Sequence, residues 1–223
     1  MIRWLMPRIA RVVIPGLPHH IVQRGVRRMD VFFSDNDRNE YLKQLSTQGA
    51  RFGLSYLAWC LMANHVHLIA IPEEKNSLAR GIGEAHRRYT RYVNFREGWR
   101  GYLFQGRFHS FPLEGSYMLA ALRYVLRNPV RARLVENPWD YDWSSAKWFV
   151  GKGRGDPLAV PSDLFADITD RQSFLLQEEN SLPAIRKHTR SGRPLGSDVF
   201  ISHLEDLTGR VLRPGKRGPK PAR

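Results

Sequence analysis

Two apolar runs, 54–62 and 65–71, are separated only by Ala63-Asn64. A break that short makes them adjacent buried strands, and Pro72, which cannot donate to a ladder, ends the second. The rest of the chain has to be arranged around this pair. Residues 14–23 read as a further strand, entered through the Pro15-Gly16 turn and left at Arg24-Gly25. Asp35 suits the N-cap of a helix that runs through Tyr41, Leu42 and Leu45 to about Ala50. Ser77 suits the cap of a second, in which Leu78, Ile82, Ala85, Tyr89, Tyr92 and Val93 keep helical spacing. Residues 102–112 read as a strand, and Ser116 caps a helix through about Leu126 that stops near Asn128-Pro129. The order strand, helix, strand, strand, helix, strand, helix predicts an α+β fold, an antiparallel sheet with helices on one face.

After Trp148 the character changes. Gly151-Lys152-Gly153-Arg154-Gly155 reads as a linker, followed by short helical segments at about 162–177 and 197–207. We therefore expect a catalytic domain over 1–150, a linker and small helical extension over 151–208, and a tail over 209–223. The tail has six basic residues and no acidic one, which predicts disorder when free. Met6-Pro7-Arg8 makes a more natural start than Met1, and the short run 2–6, broken by Arg3, is too short for a signal peptide or a membrane span.

Charge narrows the function. The chain has 35 Lys+Arg against 21 Asp+Glu, a formal net charge of +14, while its hydrophobic content of 42% is ordinary for a globular protein. A surface this basic favours polyanions, nucleic acid first. In the second helix Arg80, Arg87, Arg88 and Arg91 share the polar face with only Glu84, which fits a solvated face and a phosphate-contacting face about equally. Around 99–109, Trp99, Arg100, Phe104, Arg107, Phe108 and His109 interleave aromatics with basic groups, a pattern that suits unpaired bases and phosphates, although half of those rings fit a core equally well. In the tail, Lys216 and Arg217 fit an electrostatic arm, or more loosely a minor-groove hook. The single cysteine, Cys60, excludes an internal disulfide and a multi-cysteine zinc site, and fits a cytoplasmic protein.

Two constellations carry chemistry. Residues two apart in a strand point the same way, so His65 and His67 project from one face and can grip a divalent metal, with Val66 turned away. Residues four apart in a helix are neighbours, so Tyr124 can lean over a site on the sheet while the amide oxygen of Asn128 supplies a third ligand. A His-x-His pair in a strand is more often incidental than ligating, and a half-buried tyrosine before a helix-ending asparagine is a common structural arrangement. Tyr117 is the rival nucleophile, but its neighbour four residues on is Ala121, which cannot ligate a metal.

The segment Ala63-Asn64-His65-Val66-His67-Leu68-Ile69 resembles the metal-binding strand of the IS200-like tyrosine transposases. Tyr124-Val125-Leu126-Arg127-Asn128-Pro129-Val130-Arg131-Ala132 is similar to their tyrosine helix. The REP-associated branch is the nearest. His20 through Arg24-Gly25, Val31-Phe32-Phe33, Gln105-Gly106-Arg107-Phe108 and residues 139–145 resemble that branch in the same order, over roughly 7–150. The resemblance implies a ferredoxin-like fold, Tyr124 as nucleophile, His65, His67 and Asn128 as ligands of Mg²⁺ or Mn²⁺, and no ATP. The residue types alone would also admit Zn²⁺. The insertion-sequence relatives usually carry Gln where this chain has Asn128, which makes the third ligand less secure than the histidines. The implied activity is cleavage and rejoining of hairpin-forming, REP-like single-stranded DNA through a 5′-phosphotyrosine. The alternative from another class is a hairpin-binding architectural protein with weak or unused catalysis. Arg24, Arg80, Arg87, Arg88, Arg91, Arg107, Lys216 and Arg217 are the expected DNA contacts, in a monomer or homodimer that is nucleoid-associated and away from membranes.

Overall fold

The computed structural model describes residues 10–177 and 182–214; the start 1–9 and the tail residues Lys216 and Arg217 lie outside the described residues. Four strands, β1 (His19–Arg24), β2 (Leu54–Met62), β3 (His65–Pro72) and β4 (His109–Pro112), form one sheet in the order β2-β3-β1-β4, with every neighbouring pair antiparallel. Helices α1 (Asp35–Arg51) and α2 (Ser77–Glu97) follow β1 and β3. This βαββαβ sequence with β1 and β3 central is the expected α+β, ferredoxin-like arrangement.

Alternation along the strands sends side chains to two separate cores. On one face Ile21, Val66, Leu68 and Ala70 meet Tyr41, Leu42 and Leu45 of α1 and Leu78, Ile82, Ala85 and Tyr89 of α2. The other face carries Ala58, Cys60, Ile69 and Phe111, and α3 (Gly115–Leu126) covers it with Met118, Leu122, Val125 and Leu126. So α1 and α2 form the expected helical layer, and the tyrosine helix takes the opposite side. After α3 come one turn, α4 (Asn128–Arg131), then α5 (Ala146–Phe149), α6 (Arg171–Leu176), α7 (Leu182–Ser191) and α8 (Asp198–Thr208).

The C-terminal segments close both sheet edges, where unpaired strands would otherwise invite association. Along β2, Trp59 N–H donates to Ser145 Oγ at 3.0 Å and Leu61 N–H to the Trp143 carbonyl at 2.8 Å, and Tyr141 Oη reaches the Leu61 carbonyl at 2.8 Å. Beyond β4, Leu195 pairs with Leu113. Phe165, Phe174, Leu175, Ile185 and Leu195 belong to the same core as α3.

Several local expectations change. β1 begins at His19, not residue 14, because Gly16 turns the chain at φ +77° and Pro18 has no N–H; Val12 and Ile14 pack instead with Leu204 and Leu212. Ser34, not Asp35, caps α1, in a reciprocal capping box with Asp37. Asn76 and Glu114 precede α2 and α3; Ser77 Oγ accepts the Glu74 N–H. Of 102–112 only His109–Pro112 is strand, since Gly106 takes φ +62° and the chain ahead of it meets β1 only through the Gly25–Phe104 bridge. Phe104 and Phe108 are buried in the α1/α2 core, so neither presents a face to a base, whereas Trp99 and Tyr102 are exposed.

Candidate active site

The β3 register places His67 opposite Val22 of β1 and Cys60 of β2, and His65 opposite Arg24 and Met62. Both imidazoles therefore stand on the α3 face, as the spacing requires. Tyr124 meets them from above, its ring edge-on to His67 with centroids 5.4 Å apart. Asn128 follows on the same side. Pro129 has no N–H to offer the Val125 carbonyl, so α3 ends at Leu126; Arg127 N–H caps Arg123 and Val125, and the one-turn α4 restarts at Asn128. The Asn128 carboxamide faces the same cleft as His65, and its amide nitrogen is buried without a partner. His65, His67, Tyr124 and Asn128 line one cleft of about 650 Å³. Tyr117 packs beside the apolar core of α3 and is absent from the cleft wall.

Each imidazole is held. His65 Nδ1 lies 2.6 Å from Asn64 Oδ1. Asn64 also binds the preceding loop, its Nδ2 donating to the Arg28 carbonyl at 3.2 Å and its own carbonyl accepting from Gly25 N–H at 2.9 Å. That loop fits only because residue 25 is glycine: a Cβ there would sit 2.0 Å from the Met29 carbonyl oxygen. It also holds Arg27 and Arg28 at positive φ, 52° and 64°. His67 Nδ1 lies 3.0 Å from Nε2 of His20, whose ring stacks on it at 10°. For His67 to present the Nε2 lone pair to a cation, Nδ1 must carry the proton and donate it to His20.

Burial, then the charge of Arg24, pulls His65 down to about 4. His67 is pushed well below the usual range, first by burial and then by His20 and His65. Both rings are thus neutral at pH 7, the form that ligation needs. Among the described residues no three His, Cys, Asp or Glu side chains form a metal cluster. The donor set on offer is two imidazoles and a carboxamide oxygen. Such a set fits a divalent ion: it is neutral, leaves the ion's charge for an anionic substrate, and fills few coordination positions.

The rest of the wall is basic. Arg24, Arg28, Arg131, Arg186 and Arg190 line the cleft, and among the described residues no carboxylate does. Arg131 places its guanidinium 4.1 Å from the Tyr124 ring centroid and donates to the Tyr124 carbonyl at 2.9 Å. Of the expected DNA contacts, Arg24 is therefore in the cleft, and Arg107 lines a small recess that shares His109 and Arg190 with it. Arg80, Arg87, Arg88 and Arg91 belong to α2, which packs on the other side of the sheet. There Arg87 and Arg88 both pair with Glu84, and Arg80 stacks on Phe52. Sequence reasoning passed over His20, Arg28, Arg131, Arg186 and Arg190 as site residues. Arg131 was findable, being three residues after Asn128 on the same helical side; Arg186 and Arg190 enter only through the packing of α7 on β4 and β1.

A family model described as IS200-like transposase matches residues 14–128. Among solved structures, the chain is similar to a REP-associated tyrosine transposase bound to a REP hairpin, with TM-score 0.53 and 17% identity over 70% of this chain and 93% of that one. A provisionally assigned transposase from Deinococcus radiodurans aligns with TM-score 0.38 and 16% identity, over 57% and 92% of the two chains. At these identities the first likeness is one of fold, and the second is too loose to carry an argument. No curated protein matches the chain.

Proposed function

The chain belongs to the IS200-like transposase family, and from that premise we propose that it cleaves and rejoins single-stranded DNA beside a hairpin, using Tyr124 as nucleophile. One observation carries this reading: Tyr124 stands edge-on to His67 in a cleft that His65 and Asn128 also line, all within one chain. Tyr124 Oη attacks the phosphorus, the P–O3′ bond breaks, and the products are a 5′-phosphotyrosine and a strand ending in 3′-OH. The phenol proton leaves to water in the open cleft, and the departing 3′ oxygen takes one up. Attack by a second 3′-OH on the phosphotyrosine reverses the step and joins new ends without ATP. Arg131, over the tyrosine ring, stabilises the phenolate as it forms; Arg24 and Arg28 orient the phosphate. Mg²⁺ or Mn²⁺ held by His65, His67 and Asn128 would offset the phosphate's negative charge. His20 fixes the His67 ring through the Nε2–Nδ1 bond. The hairpin is the partner named for the solved structure of similar fold, and the arginines that line this cleft suit a polyanion.

The test is incubation with labelled single-stranded hairpins and Mn²⁺, followed by denaturing electrophoresis. Wild-type protein should give a covalent protein–DNA adduct. Tyr124→Phe should give none and still bind the hairpin within about five-fold, since one hydroxyl contributes only about 1 kcal/mol. An adduct in the variant would move the nucleophile elsewhere, and a wild-type protein that binds hairpins without forming one would favour the architectural alternative.

A further inference from the structure

The small recess beside the catalytic cleft has a composition that the cleavage chemistry does not use. Its wall holds three guanidinium groups, Arg11, Arg107 and Arg190, around a space of about 40 Å³. By volume that is room for roughly three waters, or for the oxygens of a phosphate. Arg11 is fixed in place: its guanidinium lies 3.6 Å from the Phe108 ring centroid and donates to the Phe108 carbonyl at 3.1 Å. Arg107 lies on the strand-entry loop and Arg190 near the end of α7. Among the described residues no carboxylate pairs with any of the three or lines the recess. Ser110, also on the wall, has a buried hydroxyl with no hydrogen-bond partner. The crowding is unfavourable as it stands, since burial and the neighbouring charge of Arg107 bring Arg11 down to about 10. Converging like charges with an unpartnered hydroxyl are balanced when an anion sits between them.

We propose that Arg11, Arg107 and Arg190 form a second phosphodiester-binding subsite, which holds one backbone phosphate of the unpaired strand where that strand runs on from the catalytic cleft. The proposal rests on the reading of the cleft as a single-strand site. It gives the C-terminal extension a defined task. Helix α7 presents Arg186, Thr189 and Arg190 at helical spacing to the cleft, and Arg190 also reaches the recess, so one helix tracks the strand past both. Holding a second phosphate beyond the one to be cut would define the position of the cut more tightly than the first alone.

The experiment scans the unpaired flank of a hairpin substrate with single methylphosphonate linkages, which remove one charge at a time. Binding is read with wild-type protein, Arg107→Ala and Arg190→Ala, and adduct formation on the unmodified strand is read in parallel. Arg107 and Arg190 are both exposed, so their truncation spares the core. The expected result is a sensitive linkage in the wild type, separate from the cleaved one, that becomes insensitive in both variants. The slope of log affinity against log salt should also fall by about 0.7, the contribution of one single-strand phosphate. A wild-type protein that forms the adduct yet shows no second sensitive linkage overturns the subsite and leaves the cleavage reading intact. The same holds if the variants keep the wild-type profile. No adduct and no sensitive linkage anywhere would overturn both.

Discussion

Lowering the pH from 7 to 5 should remove a large part of this protein's stability, because two histidines are sealed in its core away from the catalytic cleft. His19 is fully buried; its Nδ1 donates to the Leu17 carbonyl at 2.8 Å, so its Nε2 must accept the Ile14 N–H at 3.2 Å. His86 is buried against Phe104, its Nε2 2.9 Å from Tyr41 Oη. Burial brings His19 down to about 4 and His86 to about 3. An unfolded histidine titrates near ~6.5. Between the unfolded and folded values the unfolded chain binds more protons, so stability is complete above about pH 6.5 and is lost as the pH falls toward 4. Integrating from pH 7 to 5 gives about 2 kcal/mol for each histidine, about 4 together, against the 5–15 kcal/mol typical of a domain. His20, also buried and brought down to about 3, adds a loss of the same sign. The assay is urea unfolding in EDTA, followed by tryptophan fluorescence at pH 7, 6 and 5. His86→Gln, which can still bond the Tyr41 hydroxyl, should show a pH 7 to 5 loss smaller by about 2 kcal/mol. Equal pH slopes in wild type and variant would refute the reasoning.

Two further outcomes follow from the geometry. Gly25→Ala should sharply reduce cleavage by displacing the loop that Asn64 ties to His65, because the new Cβ would meet the Met29 carbonyl at 2.0 Å; an adduct yield equal to wild type would show that the loop does not position His65. A hairpin with an unpaired flank should be cut in Mn²⁺ while the same sequence as linear duplex stays intact, since bending a stiff duplex into the cleft costs several kcal/mol; equal cleavage of both would indicate a duplex endonuclease.

The parts of this molecule legible in the sequence are those governed by periodicity. The 65–71 alternation put His65 and His67 on one face, and the four-residue spacing put Tyr124 and Asn128 together, because each pattern fixes direction without knowledge of neighbours. Which side of the sheet α3 would take was not legible, since nothing within α3 says what it will pack against. The arginines of the cleft were not legible for a related reason. A stripe such as Arg80, Arg87, Arg88 and Arg91 is visible because helical repetition makes it so, yet Glu84 and Phe52 already engage three of its members. The cleft's own arginines come from a strand end, a loop, the turn after α3 and α7, segments far apart in the chain that only tertiary packing brings together. The strand expected over 102–112 failed because aromatic content predicts burial equally well in a loop, as Phe104 and Phe108 show.

The one-signed electrostatics of the cleft has a consequence for the metal. Three neutral donors face a wall of arginines, and no carboxylate among the described residues lines it to attract a dication. The same positive field helps hold His65 and His67 in their neutral forms. Without DNA, a divalent ion gains two nitrogens and an oxygen but meets repulsion from Arg24, Arg28 and Arg131. A bound phosphodiester reverses that sign by placing a negative charge within the same space. Metal and DNA should therefore strengthen each other's binding, and by linkage the factor must be the same whichever is added first. A coupling of about 1.4 kcal/mol, well within the usual range, is ten-fold in affinity. The measurement is calorimetric titration of Mn²⁺ into Tyr124→Phe protein with and without saturating hairpin DNA, repeated with Arg24→Ala. The DNA should tighten Mn²⁺ binding by at least about ten-fold in the first case, and removing one arginine should tighten it in the DNA-free protein. Equal Mn²⁺ affinity with and without DNA would mean that the protein alone satisfies the ion, and the neutral set of His65, His67 and Asn128 would then be the wrong description of its ligands.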